Sequence, residues 1–183
     1  LRNTCEAISS ELQCASEIIL HRGHNLLWHI TAEHPVQPIR LRAHPGYLRA
    51  TYELDSISRL ALAHCEIGFI ESSWELSGFY GVGVQGDRLI WSHARDRILS
   101  TDKALMQFDM EGNAKGIRRF AVAIVDAVGE LVCIVTVAEA ATPLREEQAH
   151  IDKIRNILMR AKASLEGRGS DQLDDRGLSE VSA

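Results

Sequence analysis

The alternation of apolar and polar positions in the second half of the chain sets its centre. Residues 117–125 and 131–138 are two apolar runs that flank the turn Asp126-Ala127-Val128-Gly129-Glu130. Both have strand length and are rich in Val and Ile, so they predict a β-hairpin. Side chains alternate between the faces of a strand, so register decides which residues share a face. With Asp126 opposite Leu131, one face carries Phe120, Val122 and Ile124 with Leu131, Cys133, Val135 and Val137. The other carries Arg119, Ala121 and Ala123 with Ile134, Thr136 and Ala138. A slip of one residue would mix large with small side chains, so the segregated register buries more apolar area. The first face suits packing under helices. The second is small, with one cation and one hydroxyl, and leaves room for a small anion.

Earlier in the chain, Leu1, Cys5, Ile8 and Leu12 recur at helical spacing and predict a helix over 2–13. Residues 16–20 and 26–33 read as strands around a turn at 21–25. Pro35 and Pro38 break the second strand, and 39–43 alternates like a third, ended by Pro45-Gly46. Residues 54–63 predict a helix capped by Asp55 or Ser56. The stretch 66–108 is the least patterned. Gly78, Gly81, Gly83 and Gly86 stand among Trp74, Phe79 and Tyr80, which fits either a lid or a connecting loop whose aromatics plug the core edge. A helix follows at 87–99 and a short one at 100–107. Thr142-Pro143 opens the last helix, with Glu146 and Glu147 in its first turn. Its stripe of Ile151, Ile154, Leu158, Ala161 and Leu165 belongs on the apolar sheet face. Gly167 and Gly169 are expected to stop it, leaving a disordered acidic tail.

Composition narrows the function. A chain of 183 residues, 45% hydrophobic, is long enough for one domain with a core. A formal net charge of −5 argues against a nucleic-acid-binding surface. No apolar run reaches membrane-spanning length and no signal-peptide pattern opens the chain, so the expected location is cytoplasmic, with no membrane partner. The first residue, Leu1, suggests a fragment of a longer protein. Cys5, Cys14, Cys65 and Cys133 form no Cys-x-x-Cys pair and read as free buried thiols. Of the eight histidines, His21 and His29 could meet across the first hairpin but lack a third ligand, so no metal and no other cofactor is expected. There is no nucleophile elbow or phosphate loop, and Cys133 lies on the apolar face, where a thiolate is disfavoured; no catalytic residue is assigned.

Asp109-x-Glu111, Gly116-Ile117-Arg118, the Ala-Val-Ala-Ile-Val-Asp strand and the Gly129 turn together resemble the effector-binding domain of the IclR family of bacterial transcriptional regulators. The spacing runs unbroken from Asp109 to near Leu165. The earlier order of helix, strand, turn, strand, Arg-Leu-Arg strand and Gly resembles it too. Ser58-Arg59 stands where the family usually has Gly-Lys. The resemblance implies an α+β fold, an antiparallel β-sheet with flanking helices of the GAF/profilin-like kind. It would span 1–166, with 167–183 as the tail and the N-terminal winged helix-turn-helix absent from this chain. It also implies an effector pocket between the sheet and a loop. The positions that match are Ser56 and Ile57 in the closing loop, Asp109 at the opening of the hairpin, and Arg119, Ala121, Thr136 and Ala138 on the strands.

Arg119 stands where the family commonly has a smaller residue. It would either pair with Asp109 or Glu111 or grip a ligand carboxylate with its planar fork. Asp109 would either reach the pocket or cap a turn. Arg40 and Arg42 read as a solvated strand edge. The implied function is sensing of a small, anionic organic acid. Ligand binding would bias dimer or tetramer geometry, and DNA affinity would follow through the missing domain. The alternatives are a small-ester hydrolase on the same scaffold and a structural dimerisation module.

Overall fold

In the computed structural model, which describes residues 1–37, 41, 43–82 and 86–177 with side chains as far as Gly167, the central hairpin is formed by β7 (Ile117–Val125) and β8 (Leu131–Ala140). Phe120 lies opposite Val137, Val122 opposite Val135 and Ile124 opposite Cys133, which is the segregated register. The turn departs from it. Val125 pairs with Leu131, so Val132 is an extra residue, half exposed, in a bulge. The bulge moves Leu131 to the small-residue face, where it packs near Ala121, Ala123 and Ile134.

Two further strands, β1 (Ala15–Arg22) and β2 (Asn25–Ala32), form the first hairpin around Gly23 at φ +55°. With β3 (Leu48–Ala50) and β6 (Gln107–Phe108) they complete a six-stranded antiparallel sheet of order β3-β2-β1-β8-β7-β6 among the described residues. Helices α1 (Arg2–Leu12) and α5 (Glu147–Gly177) cover the large apolar face. There Cys5, Ile8, Ile151, Ile154 and Leu158 bury Phe120, Val122, Val135 and Val137. Full burial of each such side chain contributes about 1.5–3 kcal/mol. The opposite face is covered by α2 (Ser56–Ala63), whose Ile57, Leu60 and Ala61 sit on Ala121, Ala123 and Ile134. Small strand residues let this helix approach closely.

An outer layer backs α2. It comprises α3 (Ile67–Ser77), the pair β4 (Phe79–Tyr80) and β5 (Arg88–Leu89), and α4 (Trp91–Leu99). Leu54, Leu62, Ile70, Phe79, Ala94 and Ile98 form its core, with Trp74 and Trp91 packed against it. Of the aromatics expected here, Phe79 is therefore a core residue and Trp74 packs against it. Trp74 stands on a helix and donates Nε1 to the Leu89 carbonyl at 3.3 Å.

Several expected boundaries move. A strand lies at 48–50; of the strand expected at 39–43, residues 39, 40 and 42 lie outside the described residues, Arg40 and Arg42 with them. The helix expected from 87 begins at Trp91 because Arg88 and Leu89 pair with β4. Residues 100–107 form no helix. The Asp102 side chain accepts from Ala104 N at 2.9 Å, a local bond that competes with a helical one, and 107–108 joins the sheet. The last helix starts at Glu147 rather than at Thr142-Pro143, since Arg118 Nη2 holds the Ala140 and Thr142 carbonyls and keeps the chain extended. It also runs through Gly167 and Gly169 to Gly177. A helical Gly costs about 1 kcal/mol relative to Ala, which weakens a helix without ending it.

Candidate ligand-binding site

Arg119 finds its anion inside the protein. Antiparallel pairing of β1 with β8 sets Glu17 opposite Thr136, one strand away from Arg119. Glu17 is wholly buried and accepts from Arg119 Nε at 3.0 Å, from Arg119 Nη2 at 3.4 Å and from Thr136 Oγ1 at 2.9 Å. Burial pushes its carboxyl pKa up, but the Arg119 charge and these hydrogen bonds outweigh it and hold the group below its ordinary range. The partner is thus neither Asp109 nor Glu111.

Two more buried pairs adjoin it. Asp55 caps α2 by accepting from Ser58 N at 2.9 Å and takes both arms of Arg49 at 2.6 and 2.9 Å. Burial would raise its pKa; Arg49 reverses the sign. Asp109 accepts from Ser56 N at 2.6 Å and from Arg59 Nη1 at 2.7 Å, so it ties the start of α2 to the chain before β7. Its carboxyl stays above the ordinary range, because burial and the nearby Asp55 outweigh Arg59 and the amide. Trp28 joins two of the pairs, with the guanidinium carbons of Arg49 and Arg119 at 5.6 and 5.9 Å from its ring centre. Trp28 faces this way because a bulge between Ile18/Ile19 and their partners leaves His29 unpaired in the β1–β2 ladder.

Above this floor opens a cleft of about 570 Å³. One wall comes from β2, β3 and the residues around them: Trp28, Tyr47, Arg49, Tyr52 and Glu53. The other comes from the loop before β7: Asn113, Ala114 and Lys115, with Ile117 and Arg119 below. Asn113 shapes that loop by accepting from Lys115 N and Ile117 N at 3.0 and 3.1 Å. The volume lies within the range of small-molecule sites, and an apolar aromatic wall facing a few polar groups is their usual make-up.

Of the residues picked from sequence, Arg119 lines the cleft, and Asp109 meets it with Asp55 in a small void alongside. Ser56 is buried, its Oγ donating to the Arg119 carbonyl at 3.4 Å. Ile57 and Ala121 lie in the core beneath, Thr136 is engaged by Glu17, and Ala138 is buried opposite Arg119. Glu17, Arg49, Arg59, Trp28, Tyr47, Tyr52, Glu53 and Lys115 were missed. A signal existed for Glu17: an acid in the apolar run Glu17-Ile18-Ile19-Leu20 must be paired or neutralised.

No sequence-family model matches the chain, and no curated protein matches it in sequence. Solved structures do match in shape. The IclR structure from Thermotoga maritima superposes with a TM-score of 0.75 at 17% identity, over 91% of this chain and 65% of that one. The fold is that of IclR-type regulators. A Silicibacter IclR transcriptional regulator gives 0.75 at 15% identity, over 91% of this chain and 63% of that one. The inducer-binding domain of PobR from Acinetobacter, a double mutant in complex with 3-hydroxybenzoic acid, gives 0.75 at 13% identity over 90% and 94%. The chain therefore spans under two thirds of the first of these regulators and nearly all of the isolated inducer-binding domain.

The thiols offer no activated nucleophile. Burial pushes Cys14 up to about 12 and Cys65 and Cys133 up to about 11, and it raises Cys5. Among the described residues no three His, Cys, Asp or Glu side chains are grouped to hold a metal ion. No described helix is long and apolar enough to cross a membrane.

Proposed function

We propose that this chain is the ligand-sensing domain of an IclR-type transcriptional regulator and that its effector is a small organic acid bound in the cleft beside Trp28. The observation that carries the reading is the cleft itself, an aromatic wall facing a loop that carries Lys115, whose ammonium has no side-chain partner among the described residues. Arg119, occupied by Glu17, is part of the floor rather than the anion grip. That a domain of the same fold holds 3-hydroxybenzoic acid supports an acid with an apolar body.

The route from ligand to response follows from the contacts. An acid on Lys115 draws the 113–117 loop toward β2 and β3. That loop is tied to α2 through Asp109, and to β8 and the segment between β8 and α5 through Arg118, which donates to the Met110, Ala140 and Thr142 carbonyls and to Glu139. A ligand that prefers one arrangement of the loop shifts the whole domain toward it. The domain acts in the cytoplasm as a dimer or tetramer, and DNA is contacted by a separate domain of the regulator. No enzymatic step is assigned.

The test is a thermal-shift screen of small mono- and dicarboxylates and aromatic acids on the wild type and Lys115→Ala. A binding acid at a hundred times its Kd adds about 2.7 kcal/mol of stability. Stabilisation that is lost in the variant places the acid at Lys115. A stable protein that no acid stabilises refutes the reading.

A further inference from the structure

We propose that Glu53 is a specificity-determining residue of the cleft, selecting acids that also carry a hydrogen-bond donor, a hydroxyl or an amine; this rests on the acid-binding reading above. The charges around the cleft fall into two groups among the described residues. Glu17 with Arg119, Asp55 with Arg49 and Asp109 with Arg59 are matched at 2.6–3.0 Å. Glu53 and Lys115, which both line the cleft, are left over. Glu53 reaches only Arg49 Nη1, at 3.5 Å, while the Arg49 fork is taken by Asp55 at 2.6 and 2.9 Å and by Ser58 Oγ at 3.2 Å. Its acceptor capacity is therefore largely unused, although its side chain is only 22% exposed. A half-buried carboxylate with open lone pairs is costly until a donor reaches it.

The backbone fixes this acceptor in place. Leu54 N donates to the Tyr80 carbonyl at 2.9 Å and Tyr80 N to the Tyr52 carbonyl at 2.8 Å, bracketing Glu53 on both sides. Burial, then the neighbouring Asp55, lift its carboxyl above the ordinary range, with Arg49 and Arg119 offsetting only part. A ligand that matches the leftover charges presents an acid to Lys115 and a donor to Glu53. A plain acid leaves Glu53 unmatched. An acid with a second anionic group there meets repulsion from Glu53 and Asp55.

The experiment measures calorimetric Kd values for benzoate, 3-hydroxybenzoate and 3-methoxybenzoate, and for propionate, lactate and 2-methoxypropionate, on wild type and Glu53→Ala. The expected result is that, in at least one series, the hydroxy acid binds the wild type about tenfold more tightly than its methyl ether. In E53A the two bind within about twofold. Glu53→Gln, which keeps the shape and loses the charge, gives an intermediate preference and serves in place of E53A should that variant unfold. Acids that bind the wild type without preferring the donor, or a preference that survives in E53A, overturn the role of Glu53 and leave the acid-binding reading standing. No binding by any of the six overturns that reading and this proposal with it.

Discussion

Replacing Arg119 by Met should damage the fold before it touches ligand binding. Methionine keeps the apolar stem and removes the guanidinium, so Glu17 is left wholly buried with neutral donors, Thr136 and Trp28. Breaking a buried pair by removing one partner costs about 3–5 kcal/mol, a large part of the roughly 5–15 kcal/mol that holds a domain together. The loss depends on pH, with a sign the pair dictates. In the wild type the Glu17 pKa is depressed below its ordinary value of 4.5, so its contribution is present above that pH and fades as pH falls through the folded pKa. In the variant burial outweighs the remaining Trp28 and Thr136 hydrogen bonds, and the folded pKa rises above the unfolded one. The variant's deficit is then smallest below the unfolded pKa and grows as pH rises toward the folded pKa. Urea unfolding near pH 5 and near pH 7 follows the growth of the deficit above the unfolded pKa. The double variant with Glu17→Gln removes the stranded charge and should recover most of the loss. A deficit below about 1 kcal/mol near pH 7, or one that does not change with pH, would show that the pair is not a buried charge pair at all.

Three further substitutions test the scaffold. Gly112 sits at φ +72°, and a Cβ there would lie 2.7 Å from Ala141 Cβ and 2.9 Å from the Ile117 carbonyl oxygen. Gly112→Ala should lose about 2 kcal/mol or more in calorimetric unfolding, whereas Gly129→Ala, at φ +87° with open space around it, should lose only about 1 kcal/mol from strain. Asp55→Ala removes the α2 cap and the close partner of Arg49 at once, leaving it Glu53 at 3.5 Å; a loss of about 3 kcal/mol by chemical denaturation is expected, and a loss no larger than that of an exposed cap, about 1 kcal/mol, would refute the paired role.

The central hairpin was legible because its register is fixed by local information: a period of two, a short turn, and a large difference in size between its faces. The α5 stripe was legible for the same reason, since Ile151, Ile154 and Leu158 stand three and four residues apart on one helix. What failed was decided elsewhere in the chain. Residues 88–89 became a strand because 79–80 lay beside them, and the start of α5 moved because Arg118 claims the Thr142 carbonyl. The pair at 79–80 and 88–89 is two residues long, too short to show a period, and Thr142 lies 24 residues from Arg118.

The same distinction explains the site. Arg119 was identified as a buried cation that needs an anion, which is a local inference, but its partner is 102 residues away and is supplied by the order of strands. Once β1 lies between β2 and β8, Glu17 has no choice but to meet Thr136 and the Arg119 fork. The position that reads as a ligand grip becomes part of the floor, and the polar groups proposed to meet the ligand are Glu53 and Lys115, on the segments that border the sheet. That division suits a sensor. Charges matched within the sheet give a rigid base that a ligand cannot easily disturb. The loop that carries Lys115 is cheaper to move, and its engagement is what the proposed effector would use to draw one wall of the cleft toward the other.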